Sequence, residues 1–184
     1  SDWSSDVCSS DLKEIIRGIT IRNGGNMEKV YARQELQKYN RQYREFDEFY
    51  HDLAAASGLS ESAFWILYVI CEQGEGCLQR DICRAVCVSK QTIHSAIRKL
   101  EEDGYLYMKS GRGRDKHIFL TERGSLLAEE KIRPVMEIEN AAFDALGETE
   151  SRRLLELTEQ YFHALVEQTE KARQNARKEG RMSE

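Results

Sequence analysis

A single proline, Pro134, stands in a chain of 184 residues. A sandwich of many short strands needs frequent turn residues, so this scarcity disfavours that class and favours long helices. The apolar positions agree. Within 28–56, Tyr39, Tyr43, Phe46, Tyr50 and Leu53 recur at steps of four and three, one stripe of a helix, with charged side chains on its other faces. Gly58 is a natural stop. Ser60 can cap the next helix, Glu61 suits its positive end, and Leu59 can staple onto Phe64. The run from Phe64 to Cys71 is apolar nearly all round, as in a buried helix. Gly74 and Gly76 end it.

A short helix over 78–86 follows, with Leu78, Ile82 and Ala85 or Val86 facing inward. Cys87-Val88 is a tight connection. Ser89 caps another helix, Val88 can staple onto Ile93, and Ile93, Ala96, Ile97 and Leu100 form its apolar face. Gly104 stops it. The period then changes to two. Residues 105–110 and 116–121 are predicted strands flanking the hairpin loop Gly111-Arg112-Gly113-Arg114-Asp115. Thr121 caps a helix to about Leu146. Pro134 within it costs roughly 3 kcal/mol and should kink or split it near Arg133. Gly147 is a stop. A last helix carries Leu154, Leu157, Tyr161 and Leu165, a stripe widened by Leu155, Phe162 and Val166.

The domain boundaries follow. Residues 1–26 are Ser/Asp-rich at the start, lack an apolar period and end in the breaker cluster Asn23-Gly24-Gly25-Asn26. They are expected to be a non-native or disordered leader, with Met27 as the start of the folded chain. Residues 27–58 form an N-terminal helix and 59–124 a central helix-turn-helix unit. Residues 125–172 supply C-terminal helices, and 173–184 a frayed polar tail. The apolar stripes of the first and last helices exceed what one small core needs, so 27–58 and 125–172 are assigned to dimerisation.

Function is expected in the second helix of the central pair. Lys90, His94 and Arg98 lie four apart on it, as do Gln91 and Ser95, with Lys99 beside them and the apolar face opposite. Arg and Lys can donate to guanine, Gln can pair with adenine, and Ser89, Thr92 and Ser95 can serve base or phosphate. The helix N-terminus adds an anion site. Arg112, Arg114 and Lys116 put three cations on the hairpin, where glycine permits close backbone approach. A net charge of −5 argues against a polyanionic partner, but the total hides an asymmetry. Residues 89–117 hold seven Lys/Arg against four acids, a local +3, leaving −8 elsewhere.

The ordered set of motifs resembles the winged helix-turn-helix of the multiple antibiotic resistance regulator (MarR) family. The residues carrying the resemblance are Leu78-Gln79-Arg80-Asp81-Ile82, Val88-Ser89-Lys90-Gln91-Thr92-Ile93, Leu100-Glu101-Glu102-Asp103-Gly104-Tyr105-Leu106 and Ile118-Phe119-Leu120-Thr121-Glu122-Arg123-Gly124. Together with the flanking helices it covers nearly all of 27–170. The implied fold is mainly α with a small β-hairpin wing, a winged helix-turn-helix with long N- and C-terminal dimerisation helices. The resemblance implies a homodimer on double-stranded DNA at a pseudo-palindromic operator. Residues 89–99 would read the major groove, and Arg112, Arg114 and Lys116 would form a wing near the minor groove. The chain is expected to be a transcriptional repressor open to a small-molecule effector. One departure matters: family wings commonly carry an Asp-x-Arg brace, which Asp115-Lys116-His117 only approximates.

Two alternatives stay open. One is a thiol- or metal-responsive regulator using Cys77, Cys83 and Cys87; the other is a winged-helix protein-interaction module without DNA binding. Cys71, Cys77, Cys83 and Cys87 lack zinc-ribbon spacing, and small structural thiols are the preferred reading. A sensor would need a low-pKa exposed thiolate, with Cys77 the best candidate. Phe64, Trp65, Tyr68 and Tyr50 could line an effector pocket, but a core role is favoured. No phosphate loop, metalloprotease motif or nucleophile elbow occurs, so no enzyme, catalytic residue, metal or cofactor is expected. No stretch approaches the ~20 apolar residues of a membrane span and no signal peptide is legible, so no membrane partner is expected. The chain is read as cytoplasmic, with free thiols.

Overall fold

The computed structural model describes residues 32–86, 89–113 and 115–180. The proposed leader, the turn residues Cys87 and Val88, and Arg114 fall outside the described residues. The described residues fall into two units, divided between 145 and 146.

In the first unit, α1 (Gln34–Ala56) begins later than the periodic pattern suggested, with Arg33 extended at its N-cap. Its stripe divides. Ala54 is buried and Tyr50 and Leu53 are half-buried, whereas Tyr43 and Phe46 are each 65% exposed. Gly58 leaves the helix at φ 75°. Helix α2 (Glu61–Gln73) starts where Ser60 accepts from the Ala63 N–H over 3.3 Å. It buries Ala63, Phe64, Ile66, Leu67, Val69 and Ile70. Cys71, placed by sequence in the all-round apolar run, is exposed instead.

A short strand β1 (Cys77–Leu78) precedes α3 (Gln79–Ala85). Leu78 was expected inside that helix, but it pairs with His117 in a sheet. Ile82 and Val86 face inward, and Ala85 is exposed rather than buried. Helix α4 (Lys90–Glu102) buries Ile93, Ile97 and Leu100. Gly104, at φ 77°, turns the chain into β2 (Leu106–Ser110), and β3 (Lys116–Leu120) returns. The antiparallel sheet has the order β1-β3-β2. The hairpin agrees with the period-two reading, whereas β1 is too short to leave a periodic signal.

Thr121 caps α5 (Glu122–Lys131) by accepting from the Gly124 N–H over 3.0 Å. The break falls at Ile132, one residue before Arg133, as a proline near the start of the next helix requires. Helix α6 (Arg133–Gly180) is interrupted at Gly147, with φ 78° and ψ 164°. It continues helical to Gly180, through most of the segment expected to fray. In the second unit its exposed face carries Leu154, Leu155, Leu157, Phe162 and Leu165.

The core of the first unit has two parts sharing α2. One joins Ile66, Val69 and Ile70 to Ile82, Ile93, Ile97, Leu106 and Ile118. The other joins Phe64 and Leu67 to Ala54, Ala128, Ile132 and Val135. Fully burying such a side chain contributes roughly 1.5–3 kcal/mol. Helix α2 is therefore the wall between the sheet-bearing lobe and the flanking helices.

Candidate nucleic-acid interface

The recognition-type helix begins with its cap. The Ser89 hydroxyl accepts from the Thr92 N–H over 3.1 Å and lies 2.7 Å from the Thr92 hydroxyl. These two side chains fasten the first turn as well as standing at the surface. The amides of Lys90 and Gln91, at the first two helical positions, have no intrahelical acceptor, which suits a phosphate oxygen.

Burial of Ile93, Ile97 and Leu100 leaves the opposite face outward. Lys90, Gln91, Thr92, His94, Ser95, Arg98 and Lys99 are all exposed. Lys99 lies toward the far end, 3.8 Å from Asp103. Among the described residues, no acidic group lies within ion-pair distance of Lys90, Arg98, Arg112 or Lys116. The face therefore offers uncommitted cations flanking amide and hydroxyl groups, the donors and acceptors that base edges and phosphates require.

The wing tip is closed by the Gly111 N–H donating to the Asp115 carbonyl over 2.9 Å. A Cβ at Gly111 would stand 2.8 Å from the His117 ring, which would have to shift to admit it. Arg112 and Lys116 are exposed at either end of the turn. Arg114 lies outside the described residues. The wing is tied back at its base: His117 Nδ1 lies 2.7 Å from the Gly76 carbonyl, and the Gly76 N–H donates to Ile118 over 2.8 Å.

The brace that Asp115-Lys116-His117 left in doubt is built differently. Nη1 of Arg80, on α3, donates to Oδ1 of Asp115 over 3.1 Å. Arg80 and Arg84 also flank Asp81, at 3.8 and 3.7 Å. Both arginines are exposed cations on the first helix of the pair, and sequence reasoning passed over them. Their spacing resembles any solvated helix face; the link to Asp115 spans 35 residues and leaves no local signal.

The junction after α4 explains a second motif. Thr121 donates to the Gly104 carbonyl over 2.7 Å, and Arg123 donates to the Asp103 carbonyl over 3.0 Å. The Arg123 guanidinium lies 4.5 Å from the Tyr105 ring centroid. This clasp joins the end of α4 to the start of α5 at the open end of the β2–β3 hairpin.

The aromatics Phe64, Trp65, Tyr68 and Tyr50, for which the sequence favours a core role over an effector pocket, pack on one another. Trp65 lies 5.6 Å from Tyr50, 5.4 Å from Tyr68 and 5.3 Å from Phe64, centroid to centroid. A shallow cavity of about 420 Å³ is lined instead by Gln42, Glu45, Phe46 and Phe49 of α1. The thiols run against the sensor alternative. Partial burial pushes Cys77 and Cys83 up, opposite to the low-pKa thiolate a sensor needs. Cys87 lies outside the described residues. Among the described residues, no group of three His, Cys, Asp or Glu side chains is placed to hold a metal, and no single helix is long and apolar enough to cross a membrane.

Residues 57–114 match a model of the MarR family. No curated protein matches the chain. Among solved structures, a MarR family regulator from Neisseria meningitidis is 18% identical, covers 76% of this chain and 99% of its own, and has a TM-score of 0.67. A MarR family regulator from Listeria monocytogenes, complexed with a 26mer DNA, is 21% identical, covers 75% and 93%, and has a TM-score of 0.56. BpsR of Bordetella bronchiseptica, whose DNA binding is regulated by 6-hydroxynicotinic acid, is 20% identical, covers 67% and 98%, and has a TM-score of 0.51. At these identities the likeness is one of fold.

Proposed function

Residues 57–114 are a MarR family segment in a chain with the winged-helix fold of that family's structures, and from that premise we propose that this transcriptional regulator is a repressor. It binds a pseudo-palindromic double-stranded DNA operator as a homodimer and occludes the promoter. The observation carrying this reading is the outward face of α4: Lys90 and Arg98, with no acidic partner among the described residues, around Gln91, His94 and Ser95, opposite the buried Ile93, Ile97 and Leu100. Ser89 to Lys99 read the major groove. Arg112, Arg114 and Lys116 of the wing lie near the minor groove, and Arg80 and Arg84 face the backbone. Two copies of α4 then meet half-sites about one turn, ~34–36 Å, apart.

Dimerisation is supported by apolar surface that a stable monomer would leave wet: Tyr43 and Phe46 on α1, and Leu154, Leu155 and Leu157 on α6. A small-molecule effector is proposed in the sense in which 6-hydroxynicotinic acid acts on BpsR, changing the spacing of the two recognition helices.

The test is fluorescence anisotropy of the full chain on DNA from upstream of its own gene, with excess nonspecific competitor at two salt concentrations. Tight, competitor-resistant binding is expected. Arg112→Ala and Lys116→Ala should each lower the salt slope by about one, whereas Gln91→Ala should relax preference at one base, by about 1–3 kcal/mol. Binding that vanishes with competitor would reduce the interface to a generic basic patch. A monomer by light scattering at micromolar concentration would overturn the dimer.

A further inference from the structure

Ile132, at the break before α6, is followed on the inner stripe of α6 by Val135, Met136 and then Glu139, so a carboxylate occupies the next core-facing position. It is held by two donors. The Tyr50 hydroxyl of α1 donates to Oε1 over 2.6 Å, and the Tyr68 hydroxyl of α2 donates to Oε2 over 2.6 Å. These lengths are those of charge-assisted O–H···O⁻ bonds. One side chain thus joins three helices, at sequence separations of 89 and 71 residues.

The geometry bears on DNA because of what else α2 carries. Tyr68 projects from α2 toward Glu139, while Ile66, Val69 and Ile70 of the same helix pack with Ile93, Ile97 and Leu100 of α4. Two hydrogen bonds to one carboxylate are directional and add to the apolar packing a preference for one arrangement. An apolar side chain at this position could not make either bond, so what the carboxylate adds to the packing is orientation. The segment bearing Glu139 is bounded by the break at Ile132 and the one at Gly147.

We propose that Glu139 is a positioning residue for DNA binding: by accepting from Tyr50 and Tyr68 together it fixes α2, and with it α4, against α1, and so sets the separation at which two copies of α4 meet the duplex. This rests on the reading of the chain as a DNA-binding homodimer.

The experiment uses the full chain. Wild type selects duplexes from a pool with a randomised core, and the recovered site is remade with its half-site spacer one base pair longer or shorter. Each base pair moves a half-site by about 3.4 Å along the axis. Wild type should prefer its own spacing by roughly tenfold or more, the scale of a lost base contact. Glu139→Leu and the double variant Tyr50→Phe/Tyr68→Phe should bind all spacings within about threefold, with half-site preference unchanged. Glu139→Gln, whose amide oxygen can serve one phenol, should fall between. A merely structural role would lower the melting temperature without altering the spacing preference; variants that keep wild-type discrimination overturn the proposal. If Glu139→Leu fails to fold, Tyr68→Phe alone, which removes one hydroxyl, decides. If wild type recovers no duplex, the DNA-binding reading itself fails and the proposal with it.

Discussion

Nη1 of Arg80 donates to Oδ1 of Asp115 over 3.1 Å, tying the first helix of the helix-turn-helix to the tip of the wing. An exposed pair of this kind contributes only about 0–1 kcal/mol to stability. Its consequence is positional, because Asp115 closes the turn that carries Arg112 and Lys116.

That relationship yields a prediction of sign. Asp115→Asn deletes a negative charge beside the proposed phosphate contacts, and charge counting alone predicts tighter binding. If the pair holds the wing in place, binding weakens instead, by about two- to fivefold, the factor an exposed pair supports. Anisotropy on the selected operator decides, and a lowered Kd would show that Asp115 acts only as a repulsive charge. Arg80→Ala should weaken binding as well.

Gly124 lies under the clasp between α4 and α5. A Cβ at this position would stand 1.8 Å from the Tyr105 carbonyl oxygen, a backbone atom with no flexible end to swing away. Gly124→Ala should therefore destabilise the fold by about 1–3 kcal/mol or more, as overpacking does. Urea denaturation reads this directly, and an unchanged midpoint would mean that the chain opens there at little cost.

The tyrosine clamp predicts behaviour in alkali. Burial, followed by the hydrogen bond to Glu139 and its charge, pushes Tyr50 up to about 12 from an ordinary 10.0. The same causes raise Tyr68 further. A group whose pKa is raised on folding contributes stability that is complete below the unfolded value and is lost as pH rises through the folded one. The contribution of these two tyrosines should thus be full and independent of pH between pH 7 and about 10, and decline from about 10 to 12. Tyr50→Phe/Tyr68→Phe should flatten that decline. Thermal melts across the range test it, and an identical alkaline slope in the double variant would remove these phenols from the account.

Much of the local structure is legible without coordinates, because its causes are local. Ser60, Ser89 and Thr121 cap α2, α4 and α5 through bonds spanning three residues. Gly58, Gly104 and Gly147 turn the chain at positive φ, a conformation that glycine adopts freely. The change from helical to alternating periodicity locates β2 and β3 to within a residue at most ends. The outward face of α4 follows from the same periodicity once Ile93, Ile97 and Leu100 are turned inward.

What the chain alone determined is therefore its helices, their caps and stops, the hairpin, and the polar face of the recognition helix. Each is encoded within one or two turns. Only the tertiary structure decided that Leu78 leaves its helix to pair with His117. It alone turned Tyr50 inward while leaving Tyr43 and Phe46, on the same stripe, in solvent. It alone joined Arg80 to Asp115, and Glu139 to Tyr50 and Tyr68. These partners lie 35 to 89 residues apart. A short-range pattern specifies which face of an element is apolar; which partner satisfies a polar group depends on where the packed core brings distant segments together.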